Sequence, residues 1–156
     1  MRLHLVRHAE ANEGSEDSER SLSNQGLKTL EIVRNGIKKL QISVPRIVHS
    51  QKLRAKQTAE GLAETLKPGQ GIQPIEGLNP MDDPQLAQTK VNQSSSDMMI
   101  VGHLPHLSHL ASLLLCGDPE MEIIQFHNCT VACMEKPPGS DSWTLVWVLK
   151  PNLLNP

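Results

Sequence analysis

Aromatic residues are scarce in this chain of 156 residues, which has no tyrosine, one phenylalanine and two tryptophans. Proteins that bind single-stranded nucleic acid stack bases on aromatic side chains, so this class of function is disfavoured. The net charge of -2, from 15 Lys+Arg against 17 Asp+Glu, also argues against a basic nucleic-acid binder. Apolar runs fall far short of the ~20 residues that span a bilayer, so we expect no membrane partner.

Cysteine is also rare, with three residues and no Cys-x-x-Cys pair. An odd number without paired spacing argues against a disulfide scaffold and indicates a reducing compartment. Arg7, His8 and Glu10 interrupt the apolar N-terminus too early for the hydrophobic region of an export signal. We therefore expect a cytoplasmic protein that folds as one domain over residues 1–156.

Short apolar segments alternate with segments of helical periodicity along most of the chain, separated by a polar loop at 9–22 and by shorter turns. The pattern predicts strands that cover residues 2–7, 46–50, 72–78 and 98–102 and helices that begin after Ser23, at 53, at 84 and at Pro105. This alternation predicts an α/β fold with a mostly parallel central sheet and helices on both faces. Two further apolar segments, 130–136 and 142–149, flank a turn and predict a C-terminal hairpin or near-hairpin.

Two packing patterns accompany these elements. The first helix carries an apolar stripe at helical spacing, formed by Leu30, Val33, Ile37 and Leu40. The last strand alternates, which places Trp143, Leu145, Trp147 and Leu149 on one side. We expect both tryptophans to serve packing, as core or sheet-face residues.

Polar residues that suit phosphate chemistry follow three of the predicted strands. Arg7 and His8 end the first strand, His49 and Ser50 end the second with Arg54 just beyond, and His103 follows the fourth. Ligands of open α/β sheets gather outside the carboxyl ends of the strands. Each residue alone is compatible with a structural role, but their joint placement favours one crevice that contains two arginines and two histidines.

The chemistry of this set is consistent with phosphoryl transfer. Arginine presents a planar fork that matches phosphate oxygens, and a helix that begins near residue 52 adds oriented N–H groups. A neutral histidine is a nucleophile or general base near neutral pH, and adjacent arginines favour its neutral form. Such a site can carry out displacement at phosphorus without a metal ion.

Three ordered motifs resemble those of the histidine phosphatase superfamily. They are MRLHLVRHAEA at the N-terminus, SQKLRAKQTA around Arg54, and VGHLP around His103. The small size and the segments ERSLSNQG and GLNPMDDP resemble most the SixA-like phosphohistidine phosphatases. The resemblance implies a phosphoglycerate-mutase-like fold and a hydrolase that removes phosphate from protein phosphohistidine through a covalent phosphohistidine on the enzyme.

The resemblance also implies a role for each matched residue. His8 is the expected nucleophile, Arg7 and Arg54 clamp the phosphate oxygens, and His103 stabilises them in the transition state. No metal and no organic cofactor are expected. The implied partner is a phosphohistidine-containing protein, for which a histidine phosphotransfer domain in signal transduction is one example.

The sequence departs from the superfamily pattern in two ways. Ala9 stands where glycine is common, although alanine is frequent in the SixA-like branch. Larger relatives carry a glutamate proton donor in an inserted region that this chain is too short to hold. The acids available near that point are Glu76, Asp82 and Asp83, each of which is also compatible with a solvated loop acid. Asp17 and Arg20 match a recurring pair in the small branch, and we expect this pair to position the loop.

Other functions stay open on the sequence. A small-molecule phosphomonoester phosphatase or phosphoglycerate-mutase-like enzyme would use the same four residues, and a phosphate-binding module would have lost turnover. The spacing of His103, His106 and His109 could suggest a metal, but an ideal helix does not place all three on one face. His127, Cys129 and Cys133 are too loosely spaced for a zinc motif and are predicted to be structural.

Overall fold

The computed structural model describes residues 1–14 and 16–154, in which one six-stranded sheet has the order β3-β2-β4-β1-β5-β6. The strands are β1 (Arg2–Arg7), β2 (Ile47–His49), β3 (Ile72–Pro74), β4 (Met98–Gly102), β5 (Val131–Glu135) and β6 (Thr144–Leu149). The first four strands run parallel, whereas β5 is antiparallel to both β1 and β6. The predicted mostly parallel sheet and the C-terminal strand pair are confirmed.

Helices cover both faces of this sheet, as the sequence predicted. They are α1 (Asn24–Lys39), α2 (Leu53–Leu66), α3 (Pro84–Asn92), α4 (His106–Cys116) and α5 (Pro151–Leu154). One apolar cluster joins α3 and α4 to one face, and a second cluster joins α1, α2 and α5 to the other. No helix in the described part of the chain is both long and apolar enough to cross a bilayer.

Helix α1 begins where its cap residue predicts. The side chain of Ser23 accepts a hydrogen bond from the backbone N–H of Gly26, which satisfies one of the unpaired donors of the first turn. Leu30, Val33 and Ile37 are buried as predicted. Leu40 is not part of this buried stripe, because the helix ends at Lys39 and Leu40 is left 55% exposed at the C-cap position.

The alternation predicted for the last strand is interrupted by a β-bulge. Cys133 of β5 is opposite Trp147, but the next residue, Met134, is opposite Leu145. The additional residue in β6 shifts the register, so the side chains on either side of it point to different faces. Trp143 is buried in the cluster that contains α4, whereas Trp147 packs against the cluster that contains α1. The packing role is confirmed, and the single shared face is wrong.

The predicted third strand and the predicted loop at 9–22 also differ in detail from the structure. The third strand ends at Pro74 rather than at residue 78, and Gly77 adopts φ +86°, a left-handed conformation that redirects the chain toward α3. The predicted loop at 9–22 contains a short 3₁₀ helix at Asp17–Glu19 and a bridge between Ala11 and Leu22.

Candidate active site

The carboxyl ends of β1, β4 and β2 lie side by side because β4 pairs with both of its neighbours. Arg7 is opposite Gly102, and His49 is opposite Val101. The backbone of the next residues continues this pairing, since the N–H of His8 donates to Gly102 O at 3.0 Å. The predicted crevice therefore forms from three adjacent strands, with His8, Ser50 and His103 as the first residues beyond them.

The imidazole of His8 is held by one hydrogen bond at each ring nitrogen. Its Nδ1 lies 2.6 Å from the carbonyl oxygen of Ala9, which can only accept, so Nδ1 carries the proton. Its Nε2 accepts from the Nε–H of Arg54 at 3.3 Å. The ring is thus fixed in the tautomer whose Nε2 lone pair faces the arginine.

The surroundings of His8 also keep this ring neutral. Burial lowers its pKa to about 4, and the positive charges of Arg54, Arg7 and Arg20 act in the same direction. The hydrogen bond to Ala9 opposes the shift without cancelling it. A neutral imidazole with an unprotonated Nε2 is the form that can attack phosphorus.

His103 is the second histidine of the crevice and is 1% exposed. Its ring centroid lies 4.9 Å from that of His8, at an interplanar angle of 53°. Ser50 Oγ forms a hydrogen bond with Nε2 of His103. The other ring nitrogen of His103, Nδ1, has no hydrogen-bond partner among the described residues. Burial lowers the pKa of His103, and the positive charges of Arg54 and Lys52 act in the same direction, as does a proton on His8 when that ring is protonated.

Arg54 lies in the first turn of α2 and is almost completely buried. Its Nη1 donates to the backbone oxygen of Asp17 at 2.6 Å, and its Nη2 lies 3.2 Å from the Asp17 carboxylate. Lys52 also donates to this carboxylate, and this hydrogen bond is the main reason that the pKa of Asp17 is lowered. Asp17 is therefore ionised and positions Arg54. Arg20 Nη1 lies 3.5 Å from the same carboxylate of Asp17.

A distant segment, residues 126–130, holds the side chain of Arg7 and the backbone of Arg7 and His8. The Arg7 Nη1 donates to Phe126 O at 2.9 Å, and the backbone N–H of Cys129 donates to Arg7 O at 3.0 Å. The side-chain amide of Asn128 donates to His8 O at 2.9 Å. This segment leads into β5 and holds the two residues from the side of β1 that is opposite to β4.

The structure thus brings together Arg7, His8, Arg54 and His103, the four residues that the sequence singled out. Sequence reasoning missed Lys52, Thr58 and Asn128. Thr58 Oγ1 donates to Arg54 O at 2.7 Å and accepts from Ala9 N at 3.0 Å, so it ties α2 to the residue after His8. The position of Thr58 one helical turn after Arg54 was the available signal. No local pattern identifies Asn128.

The three acids considered as proton donors lie on the segment between β3 and α3. Asp82 accepts from the backbone N–H of Asn79, and Asp83 accepts from that of Gln85 and caps α3. Glu76 is exposed. Among residues 1–14 and 16–154, none of these three carboxylates has a hydrogen bond to His8 or to Arg54.

The histidines of the HxxHxxH segment have different environments. His103 precedes α4 and faces His8, His106 is the first residue of that helix and completely buried, and His109 is half-buried one turn later. The described residues contain no group of three or more His, Cys, Asp or Glu side chains that could hold a metal ion.

The hydrogen bonds of His8 predict its protonation state. Near neutral pH, we expect a neutral ring protonated at Nδ1, which takes up a second proton only as the pH falls toward about 4. Long-range ¹H–¹⁵N NMR spectra distinguish the two tautomers and the imidazolium, and the His8→Ala variant assigns the signals. An imidazolium at neutral pH, or a proton on Nε2, would contradict this arrangement.

The fold is similar to that of two solved phosphatases. The chain superposes on the protein histidine phosphatase SixA complexed with tungstate with a TM-score of 0.88 and 24% identity, over 99% of this chain and 100% of the other. The alpha-ribazole phosphatase from Shigella flexneri gives a TM-score of 0.76 at 15% identity, over 97% of each chain. At these identities the likeness establishes the phosphoglycerate-mutase-like fold alone.

Sequence comparison leads to the same group of proteins. The phosphohistidine phosphatase SixA of Escherichia coli (strain K12) is 24% identical over 150 residues, which cover 93% of each protein. The family model of the histidine phosphatase superfamily (branch 1) matches residues 3–89. Because this match spans more than half of the 156 residues, the chain belongs to the histidine phosphatase superfamily and is a phosphatase that uses a histidine.

Proposed function

We propose that this phosphatase hydrolyses protein phosphohistidine, with His8 as the nucleophile. The observation that carries the proposal is the state of His8, whose Nε2 lone pair faces Arg54 Nε at 3.3 Å while Nδ1 is bound to Ala9 O. A phosphoryl group placed beside Nε2 of His8 also lies beside the guanidinium of Arg54. Nucleophile and charge stabilisation are therefore adjacent before substrate arrives.

The proposed reaction has two displacements at phosphorus. In the first, Nε2 of His8 attacks the phosphorus, the P–N bond of the substrate breaks, and the substrate histidine leaves with its electron pair. In the second, water attacks the phosphoryl group on His8, and the P–N bond to the enzyme breaks to release inorganic phosphate. Arg7, Arg54 and His103 stabilise the phosphoryl oxygens in both steps, and Lys52 offsets the negative charge of Asp17.

The acid–base properties of the crevice favour a leaving group that needs little help. The carboxylate bound to Arg54 belongs to Asp17, and its lowered pKa makes it a poor proton donor. The imidazole of phosphohistidine takes up a proton easily near neutral pH and departs as a neutral ring. An alkoxide from a serine or sugar phosphate has a far higher pKa and requires an acid in the transition state.

The loop after His8 supports a protein substrate. Asp17 anchors this loop at Arg54, and the exposed acids Glu10, Glu13, Glu16 and Glu19 lie on it. A negatively charged rim repels small polyanions such as sugar bisphosphates but is complementary to a protein surface of basic character. We therefore propose a phosphohistidine-containing protein, such as a histidine phosphotransfer domain, as the partner.

A substrate panel tests the proposal. We expect kcat/KM for a phosphohistidine protein and for an aryl phosphate to exceed that for serine and sugar phosphates by at least ~10²-fold, or about 2.7 kcal/mol in the barrier. Rates at low and moderate salt separate the contribution of the acidic loop. Efficient hydrolysis of a sugar bisphosphate would support a small-molecule phosphatase, and binding of phosphate without turnover of any substrate would support a phosphate-binding module.

Chelators are expected to leave the activity unchanged, because Arg7 and Arg54 already supply the positive charge that stabilises the phosphoryl group. Initial rates are to be compared with and without EDTA after extensive dialysis. A loss that one divalent cation restores would show that these arginines are not sufficient. The histidines around α4 would then have to be reconsidered as ligands.

A further inference from the structure

A groove of about 400 Å³ lies between the start of α4 and the segment 122–126. Leu104, Pro105 and Ser108 form one wall, and residues of the segment form the other. Ser108 Oγ donates a hydrogen bond to Ile124 O at 3.4 Å, which links the two walls. The reaction proposed above does not use this groove, which we call the side groove.

The side groove adjoins the proposed catalytic crevice at two points. Leu104 is the residue directly after His103. In the opposite wall, Phe126 O accepts a hydrogen bond from Arg7 Nη1 at 2.9 Å. When the phosphohistidine of a protein substrate lies in the crevice, its neighbouring residues are therefore close to the side groove.

Contacts along α4 show how far the segment extends away from the crevice. The backbone N–H of Ile123 donates to Ser112 Oγ at 3.2 Å, and Ser112 lies six residues after His106, the first residue of the helix. Six residues correspond to about 9 Å at roughly 1.5 Å per residue. Glu122, which precedes Ile123, is thus on the order of 10 Å from the crevice. A long side chain one helical turn from the phosphohistidine, about 5.4 Å away along its own chain, can reach this far.

The lining of the side groove combines apolar surface with one carboxylate. Leu104 and Pro105 are partly exposed, so they present apolar surface to the groove. Glu122 is exposed, and within residues 1–14 and 16–154 its carboxylate has neither an ion pair nor a hydrogen bond. Neither lysine nor arginine belongs to the lining. An unpaired carboxylate beside apolar surface is complementary to a side chain with an aliphatic stem and a cationic head.

We propose that the side groove binds a lysine or arginine that flanks the phosphohistidine of the protein substrate. Its stem packs against Leu104 and Pro105, and its cationic head pairs with Glu122. Arg7 does not supply this cation, because it lies outside the lining and its charge is matched by the phosphoryl group in the complex. The role of the groove rests on the proposed function, since only a protein substrate brings such a neighbouring residue.

Synthetic phosphohistidine peptides test the side groove, with free phosphohistidine as a substrate that has no neighbouring residue. Each position from four before to four after the phosphohistidine carries, in turn, lysine, norleucine, alanine or glutamate. At one position at least, we expect kcat/KM to decrease in that order. Norleucine keeps an aliphatic stem without the charge, so its advantage over alanine measures the apolar wall. The advantage of lysine over norleucine measures the carboxylate and should be ~3–5-fold, as for an exposed ion pair.

Variants of Glu122 identify the carboxylate. Glu122→Gln keeps the size of the side chain and should abolish the advantage of lysine over norleucine, whereas Glu122→Lys should favour the glutamate peptide. Glu120→Gln removes an exposed acid of the preceding turn that lies outside the groove, and this matched control should keep the full preference. All three variants should hydrolyse free phosphohistidine at the wild-type rate, because the substitutions lie outside the crevice.

The inference is overturned if wild type shows no preference for lysine at any position. It is equally overturned if Glu122→Gln keeps the preference or if Glu120→Gln loses it to the same extent. Failure of the proposed function gives a different result, since neither free phosphohistidine nor any phosphohistidine peptide would then be hydrolysed. That result would overturn both the proposed function and the role of the side groove.

Discussion

Replacing His8 by alanine is expected to abolish turnover and to remove the covalent phosphoenzyme. We expect kcat to fall by at least ~10⁴-fold, the order of loss that follows removal of a covalent nucleophile in other enzymes. The fold should survive, because the contacts of His8 with Gly102 and Asn128 involve only its backbone. The effect should therefore be on chemistry and not on stability.

The measurement combines steady-state rates with trapping of labelled enzyme at neutral or basic pH. Wild type should give an adduct that is labile in acid and stable in base, as expected for a P–N bond, whereas the variant should give none. His109→Ala removes a half-buried histidine on α4 and is the matched control, with label and rate retained. Unchanged labelling of His8→Ala would place the nucleophile elsewhere.

Replacing Arg54 by alanine is expected to lower kcat/KM by ~10²–10³-fold, which is about 3–4 kcal/mol of transition-state stabilisation. The guanidinium is almost completely buried beside His8 Nε2, so water replaces it poorly. Arg7→Ala should show a loss of the same order. Inorganic phosphate and vanadate should compete with substrate in wild type and bind more weakly to both variants.

Two further variants test the shape of the Arg54 side chain and its anchoring by Asp17, and a third variant is a control. Arg54→Lys keeps the charge but not the fork and should recover only part of the rate. Asp17→Asn removes the carboxylate that holds Arg54 and should change KM more than kcat. Arg34→Ala deletes a surface arginine that pairs with Glu64 and should leave the rate unchanged. A loss at Arg54→Ala of less than ~3-fold, under 1 kcal/mol, would place Arg54 outside the phosphate site.

The four proposed site residues were predictable because each follows a strong local signal. Arg7 ends a short apolar strand, His8 and His103 come directly after such strands, and Arg54 lies in the first turn of a helix with clear periodicity. The rule that ligands gather at the carboxyl ends of parallel strands converts these separate positions into one crevice. The resemblance of the motifs to the histidine phosphatase superfamily then implied a role for each of these residues.

The supporting residues were not predictable, because their contacts connect segments that are far apart in sequence. Asn128 reaches His8 through an amide-to-carbonyl bond across 120 positions, and no periodicity marks it. Nothing in the sequence marks the bulge opposite Cys133 either. The alternation of residues continues through both tryptophans, although the pairing register of the two strands shifts between them. Leu40 fits the helical stripe, and only the end of α1 one residue earlier leaves it exposed.

The segment 126–130 has a consequence for when the site becomes functional during synthesis. The ribosome adds Asn128 120 residues after His8, and β5 must then pair with β1 on the side opposite to β4. Until that pairing forms, the carbonyls of Arg7 and His8 lack their partners, whatever the state of α1 and α2. Domains rich in contacts of long sequence separation fold more slowly. A nascent chain therefore carries His8 early, but the contacts that order the backbone of this residue are complete only after residues 126–130 have been added.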